Sequence, residues 1–183
     1  MMTKHKERNR NLVLMGFMGC GKTTVGRSLS YRLQMAVEDT DHIIEEMEGK
    51  TISEIFAQQG ENAFRKMETE LLVKLRDGAS RKIYSLGGGT PIQLQNQALI
   101  RQIGFVVWLR TTPETVYERV KNDTARPLLQ CEDPMGRIRE LLDRRSPVYE
   151  RCADLIIDTD DLTREEVTET IARAYESFLA GGE

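Results

Sequence analysis

Eight residues near the start of the chain, from Gly16 to Thr23, constrain the fold more than any other segment. They read GFMGCGKT and fit the pattern G-x-x-x-x-G-K-[ST], between a short apolar run at 11–16 and a segment at 21–34 with apolar residues at helical spacing. Glycines let successive backbone N–H groups curve around phosphate oxygens, and the N-terminus of a following helix adds partial positive charge. A glycine turn that only caps a helix is the alternative, but strand, motif and helix in this order favour a phosphate-binding loop.

The residue types of this loop indicate a nucleotide that binds together with a divalent cation. The amine of Lys22 suits the outer phosphates, and the Thr23 hydroxyl is a natural ligand for Mg²⁺. We therefore predict that ATP binds here with Mg²⁺, and that the Cys20 thiol faces the reaction and is open to thiol reagents. The predicted ATP contacts in this part of the chain are Gly19, Cys20, Gly21, Lys22, Thr23 and Thr24.

Length and composition fit one domain that folds without disulfides or metals. The chain has 183 residues, 39% of them hydrophobic, and a net charge of −3, and a chain of this length buries roughly 70% of its unfolded surface. This profile argues against nucleic acid as a partner, and no segment approaches the ~20 apolar residues that span a bilayer. Three cysteines without CxxC spacing fit free thiols in the cytoplasm. We expect a flexible basic tail at 1–10, for which a nucleic-acid arm is the alternative, and one domain at 11–183.

Strand and helix patterns alternate along this domain. Apolar runs predict five strands, at 11–16, 36–39, 82–86, 105–109 and 155–158. Helical patterns cover 21–34, 41–48, a short segment that Gly60 ends, 61–76, 92–103, 113–121, about 135–152 with a bend or interruption near Pro147, and 164–179. The alternation predicts right-handed βαβ units on a parallel sheet, with ligands outside the carboxyl ends of the strands. Residues 122–134 are expected to form a surface loop.

A pair of aspartates, Asp39 and Asp41, follows the second predicted strand. Side chains two residues apart in an extended segment point to the same side. One carboxylate is therefore suited to hold Mg²⁺ through water while the other meets a substrate hydroxyl. The alternative role for Asp41 is to cap the helix that follows.

Two basic pairs and a triple glycine complete the set of candidate residues. Arg65 lies in a predicted helix, Arg145 lies in a later one, and a guanidinium binds a carboxylate through two parallel hydrogen bonds. A solvated surface with salt bridges is the alternative for each pair. Gly87-Gly88-Gly89 follows the third predicted strand and permits close approach of backbone to a ligand, although a simple tight turn has the same composition.

Two large classes of nucleotide-binding protein do not fit the sequence. Switch GTPases need an Asn-Lys-x-Asp guanine reader, and the segment Lys121-Asn122-Asp123 has these residues in the wrong order. Motor ATPases carry a strand that ends in Asp-Glu, whereas the fourth predicted strand is followed by Arg110. The short length, the early acidic pair and a late arginine-rich loop favour a compact kinase.

In combination these segments resemble the shikimate kinase family, in matching order and over nearly the whole chain after the tail. The segments that carry the resemblance are Gly16 to Thr23, Asp39-Thr40-Asp41, Phe64-Arg65-Lys66 with Glu68, Leu86-Gly87-Gly88-Gly89, Ala125-Arg126-Pro127-Leu128-Leu129 and Arg145-Ser146-Pro147-Val148-Tyr149. The resemblance implies a P-loop NTPase fold of the nucleoside-monophosphate-kinase type, with three α/β/α layers around a five-stranded parallel sheet. It also implies a monomer that transfers the γ-phosphoryl group of ATP to the 3-hydroxyl of shikimate.

The resemblance further implies a role for each matching residue. In an acceptor-binding region at about 39–69, Asp41 contacts the acceptor hydroxyls and Asp39 holds Mg²⁺ through water. Arg126 reaches the phosphates from a mobile lid at about 122–133, so that Lys22, Asp41 and Arg126 form the catalytic set. The remaining implied contacts are Arg65 and Arg145 to the substrate carboxylate, Gly87, Gly88 and Gly89 to the substrate through backbone, and Arg119 to adenine. Adenine contacts after Asp158 stay open.

Two other functions remain as alternatives at this stage. A gluconate or nucleoside-monophosphate kinase has the same architecture, and an anionic sugar acid would also use Arg65 and Arg145. The triple glycine with Arg145-Ser146-Pro147 favours shikimate. A sensor that binds ATP without transferring phosphate is the other alternative. The presence of Lys22, Thr23, Asp41 and Arg126 argues against it.

Overall fold

Five parallel strands form the centre of the protein in a computed structural model that describes residues 9–78, 81–121 and 131–181. The strands lie in the order β2-β3-β1-β4-β5, and each neighbouring pair is parallel. They are β1 Asn11–Met15, β2 Val37–Asp39, β3 Ile83–Ser85, β4 Gly104–Arg110 and β5 Leu155–Asp158. The predicted five-stranded parallel sheet is confirmed.

Seven α-helices connect or flank these strands in the described ranges. They are α1 Lys22–Leu33, α2 Thr40–Glu48, α3 Ile52–Asp77, α4 Leu94–Ile103, α5 Pro113–Val120, α6 Pro134–Cys152 and α7 Arg164–Leu179, with a short 3₁₀ helix at Thr90–Ile92. Gly60 has φ 80° and ψ 169° and divides α3 into two helical parts, as the sequence predicts. Of the two possibilities expected near Pro147, a bend or an interruption, the interruption is excluded, because α6 continues through that residue. Buried side chains on both sides of it, among them Leu142 and Tyr149, hold the two parts of α6 against the core.

Helices cover both faces of the sheet, which gives the three predicted layers. Alternate residues of β1 point to opposite faces, because the side-chain period of a strand is two. Leu12 and Leu14 pack with α1 and α7, whereas Val13 and Met15 pack with α3, α4 and α6. Both faces of β1 are thus fully buried, which explains its continuous apolar run.

Local capping signals fix where several helices begin. Thr51 and Glu54 form a reciprocal capping box at the start of α3, and Thr112 caps α5 ahead of Pro113. In the ranges that the structure describes, none of the helices combines the length and the apolar character that crossing a membrane requires. The three cysteines are free thiols, which agrees with the prediction.

Candidate active site

The loop between β1 and α1 has a backbone that suits glycine at three positions. Gly16, Gly19 and Gly21 have φ values of 148°, 73° and 100°, and side chains are strongly disfavoured in that region. A Cβ on Gly16 would also lie 2.7 Å from the carbonyl oxygen of Leu109. The loop is therefore held close to the end of β4 and leads directly into the N-terminus of α1, where anions bind.

Two positively charged side chains and one hydroxyl group lie at this loop. The Lys22 ammonium donates to the carbonyl oxygens of Gly16 at 2.9 Å and Phe17 at 3.1 Å. Arg119, on α5, donates to the carbonyl oxygen of Gly19 at 3.0 Å. Thr23 is exposed in the first turn of α1. Lysine, arginine and threonine thus line one cleft with the loop glycines, as predicted for a phosphate site.

Cys20 corrects one expectation. Its side chain is 1% exposed and belongs to the core between the sheet, α1 and α7. The sulfur lies 3.8 Å from the Lys22 ammonium, beneath the loop. The loop turns this side chain inward, so the expectation of an accessible thiol that faces the reaction is wrong.

The two aspartates are arranged differently from the prediction. Strand β2 ends at Asp39 and α2 begins at Thr40, so the two carboxylates do not share an extended segment. Asp39, not Asp41, caps the helix: its carboxylate accepts from the Asp41 N–H at 3.0 Å and from the Ser85 hydroxyl at 3.0 Å. The chain turns here because the buried Thr40 hydroxyl donates to the carbonyl oxygen of Ser85 and accepts from the Gly87 N–H.

Asp41 nevertheless lines the same cleft as the phosphate loop. Burial raises the pKa of its carboxyl to about 6, and repulsion from Asp39 and Glu68 adds to this while Lys22 and Arg65 oppose it. Its Oδ1 is buried and has no hydrogen-bond partner among the described residues. A buried acceptor with an unused oxygen and a pKa close to neutrality is suited to bind a hydroxyl group and to take up its proton.

Arg65 faces the glycine turn from α3. Its guanidinium donates to Glu68 at 2.8 Å and to Glu61 at 2.9 Å, and Glu68 is only 3% exposed. A Cβ on Gly89 would lie 2.6 Å from Arg65 Nη1. The two carboxylates fix the guanidinium beside a turn that only glycine leaves open.

Arg145 approaches the same turn from α6. Its Nη1 lies 3.4 Å from the carbonyl oxygen of Gly88, and its guanidinium lies 5.4 Å above the ring centre of Phe17 in the phosphate loop. Arg145 therefore connects the glycine turn to the phosphate loop. The fold brings Arg65 and Arg145 to the same turn, although they are 80 positions apart in the sequence.

One cleft of about 700 Å³ joins these two groups of residues. Every predicted site residue in the described ranges lines it, and Arg126 and most of the predicted lid, 122–130, lie outside those ranges. The cleft also includes residues that the sequence reasoning did not assign: Met18, Val25, Ile52, Phe56, Phe64, Glu68, Ser85, Leu86, Thr159, Leu162, Arg164 and Val167. Thr159 follows the end of β5, so the rule that ligands bind at strand ends could have found it. The apolar positions carry no comparable signal.

The fold and the site define a class of protein. A phosphate-binding loop leads from a strand of a parallel sheet into the first helix, and a half-buried aspartate and two arginines line the same cleft. This arrangement is that of a P-loop kinase for a small anionic acceptor.

Comparison with known proteins identifies the family. The family profile described as shikimate kinase matches residues 18–176. The shikimate kinase of Thermodesulfovibrio yellowstonii is 43% identical over 172 residues, which cover 94% of this chain and 98% of that relative. The solved shikimate kinase from Acinetobacter baumannii in complex with shikimate superimposes with a TM-score of 0.84 at 38% identity, over 91% of this chain and 93% of that chain. The shikimate kinase of Aquifex aeolicus gives a TM-score of 0.78 at 32% identity, over 94% of this chain and 99% of that chain. The chain belongs to the shikimate kinase family and is an ATP-dependent kinase.

Proposed function

We propose that one half of this cleft binds ATP and the other half binds shikimate. The γ-phosphoryl group of ATP is transferred to the 3-hydroxyl of shikimate, which yields shikimate 3-phosphate and ADP. The observation that carries it is the half-buried Asp41 carboxylate, whose Oδ1 has no partner among the described residues, in the same cleft as the phosphate loop and both acceptor-side arginines. Phosphoryl transfer depends mainly on positioning and on neutralisation of charge, and the two halves of the cleft supply these separately.

The phosphate half holds ATP. Backbone N–H groups of the loop and the α1 N-terminus bind the outer phosphates, and the Lys22 ammonium exchanges its two carbonyl partners for phosphate oxygens. Arg119 lies against adenine. Arg126, outside the described ranges, is assigned to the phosphates through the family resemblance alone.

The residues present fit Mg²⁺. Thr23 and Asp39 line the cleft and offer a hydroxyl and a carboxylate, which are the oxygen ligands that this ion prefers. Both Asp39 oxygens already accept hydrogen bonds from the protein, which favours contact with the ion through water. When bound with ATP, Mg²⁺ neutralises phosphate charge.

The acceptor half holds shikimate. Arg65 and Arg145 pair with its carboxylate, and the backbone of Gly87, Gly88 and Gly89 lies against the ring. Asp41 accepts a hydrogen bond from the 3-hydroxyl and is placed to take its proton. We also propose that the enzyme is a cytoplasmic monomer, and size-exclusion chromatography with light scattering tests the oligomeric state.

The decisive experiment measures ADP release from purified protein with MgATP, with shikimate, with gluconate or without an acceptor. We expect release that depends on shikimate and does not respond to gluconate. Stimulation by gluconate instead would assign the cleft to another small anionic acceptor. ATP binding without acceptor-dependent ADP release would favour a nucleotide sensor.

A further inference from the structure

A buried tyrosine on α6 contacts the glycine turn from behind. Tyr149 is fully buried, and its hydroxyl donates to the carbonyl oxygen of Gly88 at 2.6 Å. Its ring lies 5.7 Å from that of Trp108, on β4. The ring is thus fixed in the core, while the hydroxyl binds the backbone of Gly88, a residue that lines the cleft.

The same carbonyl oxygen is also within reach of Arg145. Tyr149 and Arg145 are four positions apart on α6 and therefore lie on one face of the helix. The tyrosine bond is the shorter one, at 2.6 Å against 3.4 Å for Arg145 Nη1. The Gly88 carbonyl is therefore satisfied mainly by the tyrosine, and its contact with the guanidinium is the weaker of the two.

We propose that Tyr149 is a positioning residue for the acceptor, because its hydroxyl fixes the glycine turn and leaves the Arg145 guanidinium available to the substrate carboxylate. This inference rests on the proposed role of Arg145. Without the hydroxyl, the half-buried Gly88 carbonyl takes Arg145 as its remaining donor, which draws the guanidinium away from shikimate. Burial raises the pKa of Tyr149 to about 12, against the opposing influence of Arg145, so the hydroxyl remains a donor at neutral pH.

The chain provides a matched control for this idea. Tyr175, on α7, is also fully buried, and its hydroxyl also donates to a main-chain carbonyl oxygen, that of Arg10. Neither tyrosine lines the cleft, but Gly88, the partner of Tyr149, does line it, and Arg10 does not. Tyr149→Phe and Tyr175→Phe therefore remove the same buried donor, and only the first removes a bond to a residue of the acceptor half.

Steady-state kinetics with shikimate and ATP test the proposal. We expect Tyr149→Phe to raise the KM for shikimate about tenfold, the scale expected when a buried polar group loses its partner, with kcat and the KM for ATP within about twofold of wild type. We expect Tyr175→Phe to leave both KM values unchanged. Partial unfolding does not obscure the result, because inactive protein lowers apparent kcat and leaves KM unaffected.

A double-mutant cycle then asks whether Tyr149 acts through Arg145. Because the residues share one acceptor, adding Tyr149→Phe to Arg145→Lys is expected to raise the shikimate KM less than twofold further. Independent, multiplying effects, or an unchanged shikimate KM in Tyr149→Phe, would overturn the inference. Absence of shikimate-dependent ADP release from wild-type protein would instead overturn the proposed function.

Discussion

The two halves of the cleft obtain their binding groups in different ways. The phosphate half is built largely from one continuous segment, 16–24, whose positive φ angles at glycine aim the backbone at a ligand. The acceptor half takes single side chains from α2, α3 and α6 and a turn that follows β3. A local sequence motif is therefore enough for the first half, whereas only the tertiary fold assembles the second.

The charges of the two halves are also held differently. Lys22 is held by two neutral carbonyl groups, which phosphate oxygens can replace. In the acceptor half, Arg65 is fixed by Glu61 and Glu68, and burial raises the pKa of Asp41 to about 6. The acceptor half therefore depends on supporting residues that do not contact the substrate. We expect substitutions in the two halves to have different kinetic effects.

Loss of the loop lysine is expected to have the largest effect. Lys22→Met removes the charge that meets the phosphates, and we expect kcat to fall about a thousandfold. Shikimate should still bind to the nucleotide-free variant with a dissociation constant within about twofold of wild type by calorimetry. Lys82→Met removes a half-exposed lysine paired with Glu38 and serves as the control. Loss of shikimate affinity in Lys22→Met would show that the two halves are not separate.

Asp41→Asn is expected to lower kcat about a hundredfold, the scale of lost general-base catalysis, while it stabilises the fold. The folded-state pKa of about 6 lies above the ordinary value of 3.8, so ionised Asp41 destabilises the fold increasingly as pH rises from about 4 through 6. Removal of the charge should add about 2–3 kcal/mol to the free energy of unfolding at pH 8 and nothing at pH 4. Urea titrations at both pH values measure this, and equal effects at the two would contradict the assignment.

Gly89→Ala tests how tightly Arg65 is placed. Gly89 has φ −90°, which alanine adopts without strain, so the effect comes from the new methyl group 2.6 Å from Arg65 Nη1. We expect the KM for shikimate to rise about thirtyfold, because bidentate pairing depends on geometry, with the KM for ATP unchanged. Gly49→Ala adds a methyl group in open space at the end of α2, so it is the control and should alter only stability.

The pH dependence of the wild-type enzyme gives a smaller effect with the same origin. If Asp41 must be ionised, with a pKa of about 6, kcat/KM for shikimate is expected to be nearly constant above pH 7 and to fall about tenfold between pH 7 and pH 5. The residual activity of Asp41→Asn should show no such decline. A decline with the same midpoint in that variant would assign the titration to another group.

The sequence predicted the phosphate half more completely than the acceptor half, because only the phosphate half is formed by one local segment. Residues 16–23 could be interpreted from spacing alone, because a strand, a glycine loop and a helix follow each other without long-range contacts. The sheet and most helix ends also followed from local patterns, such as the glycine that interrupts α3 at position 60. The cap of α2 was assigned to the wrong aspartate, although the bond from the Asp41 N–H to Asp39 is local. Cys20 as a core residue could not be predicted, because the packing of α1 and α7 decides it. The hydrogen bond between Thr90 and Glu68 could not be predicted from any local pattern, because the two residues lie on different elements.

The smallest predicted effect concerns Thr90, which supports Glu68 and through it Arg65. The Thr90 hydroxyl donates to Glu68 Oε1 at 2.5 Å, and Glu68 holds Arg65 through its other oxygen. Thr90→Val keeps the shape and leaves one oxygen of a buried carboxylate unpaired, so we expect the KM for shikimate to rise about threefold and stability to fall by about 1–2 kcal/mol. Thr168→Val, which removes a buried hydroxyl bonded within α7, should lower stability and leave that KM unchanged. An unchanged shikimate KM in Thr90→Val would mean that Glu61 and Glu68 hold Arg65 without help from Thr90. Only the residues that contact the guanidinium directly would then be needed to place it.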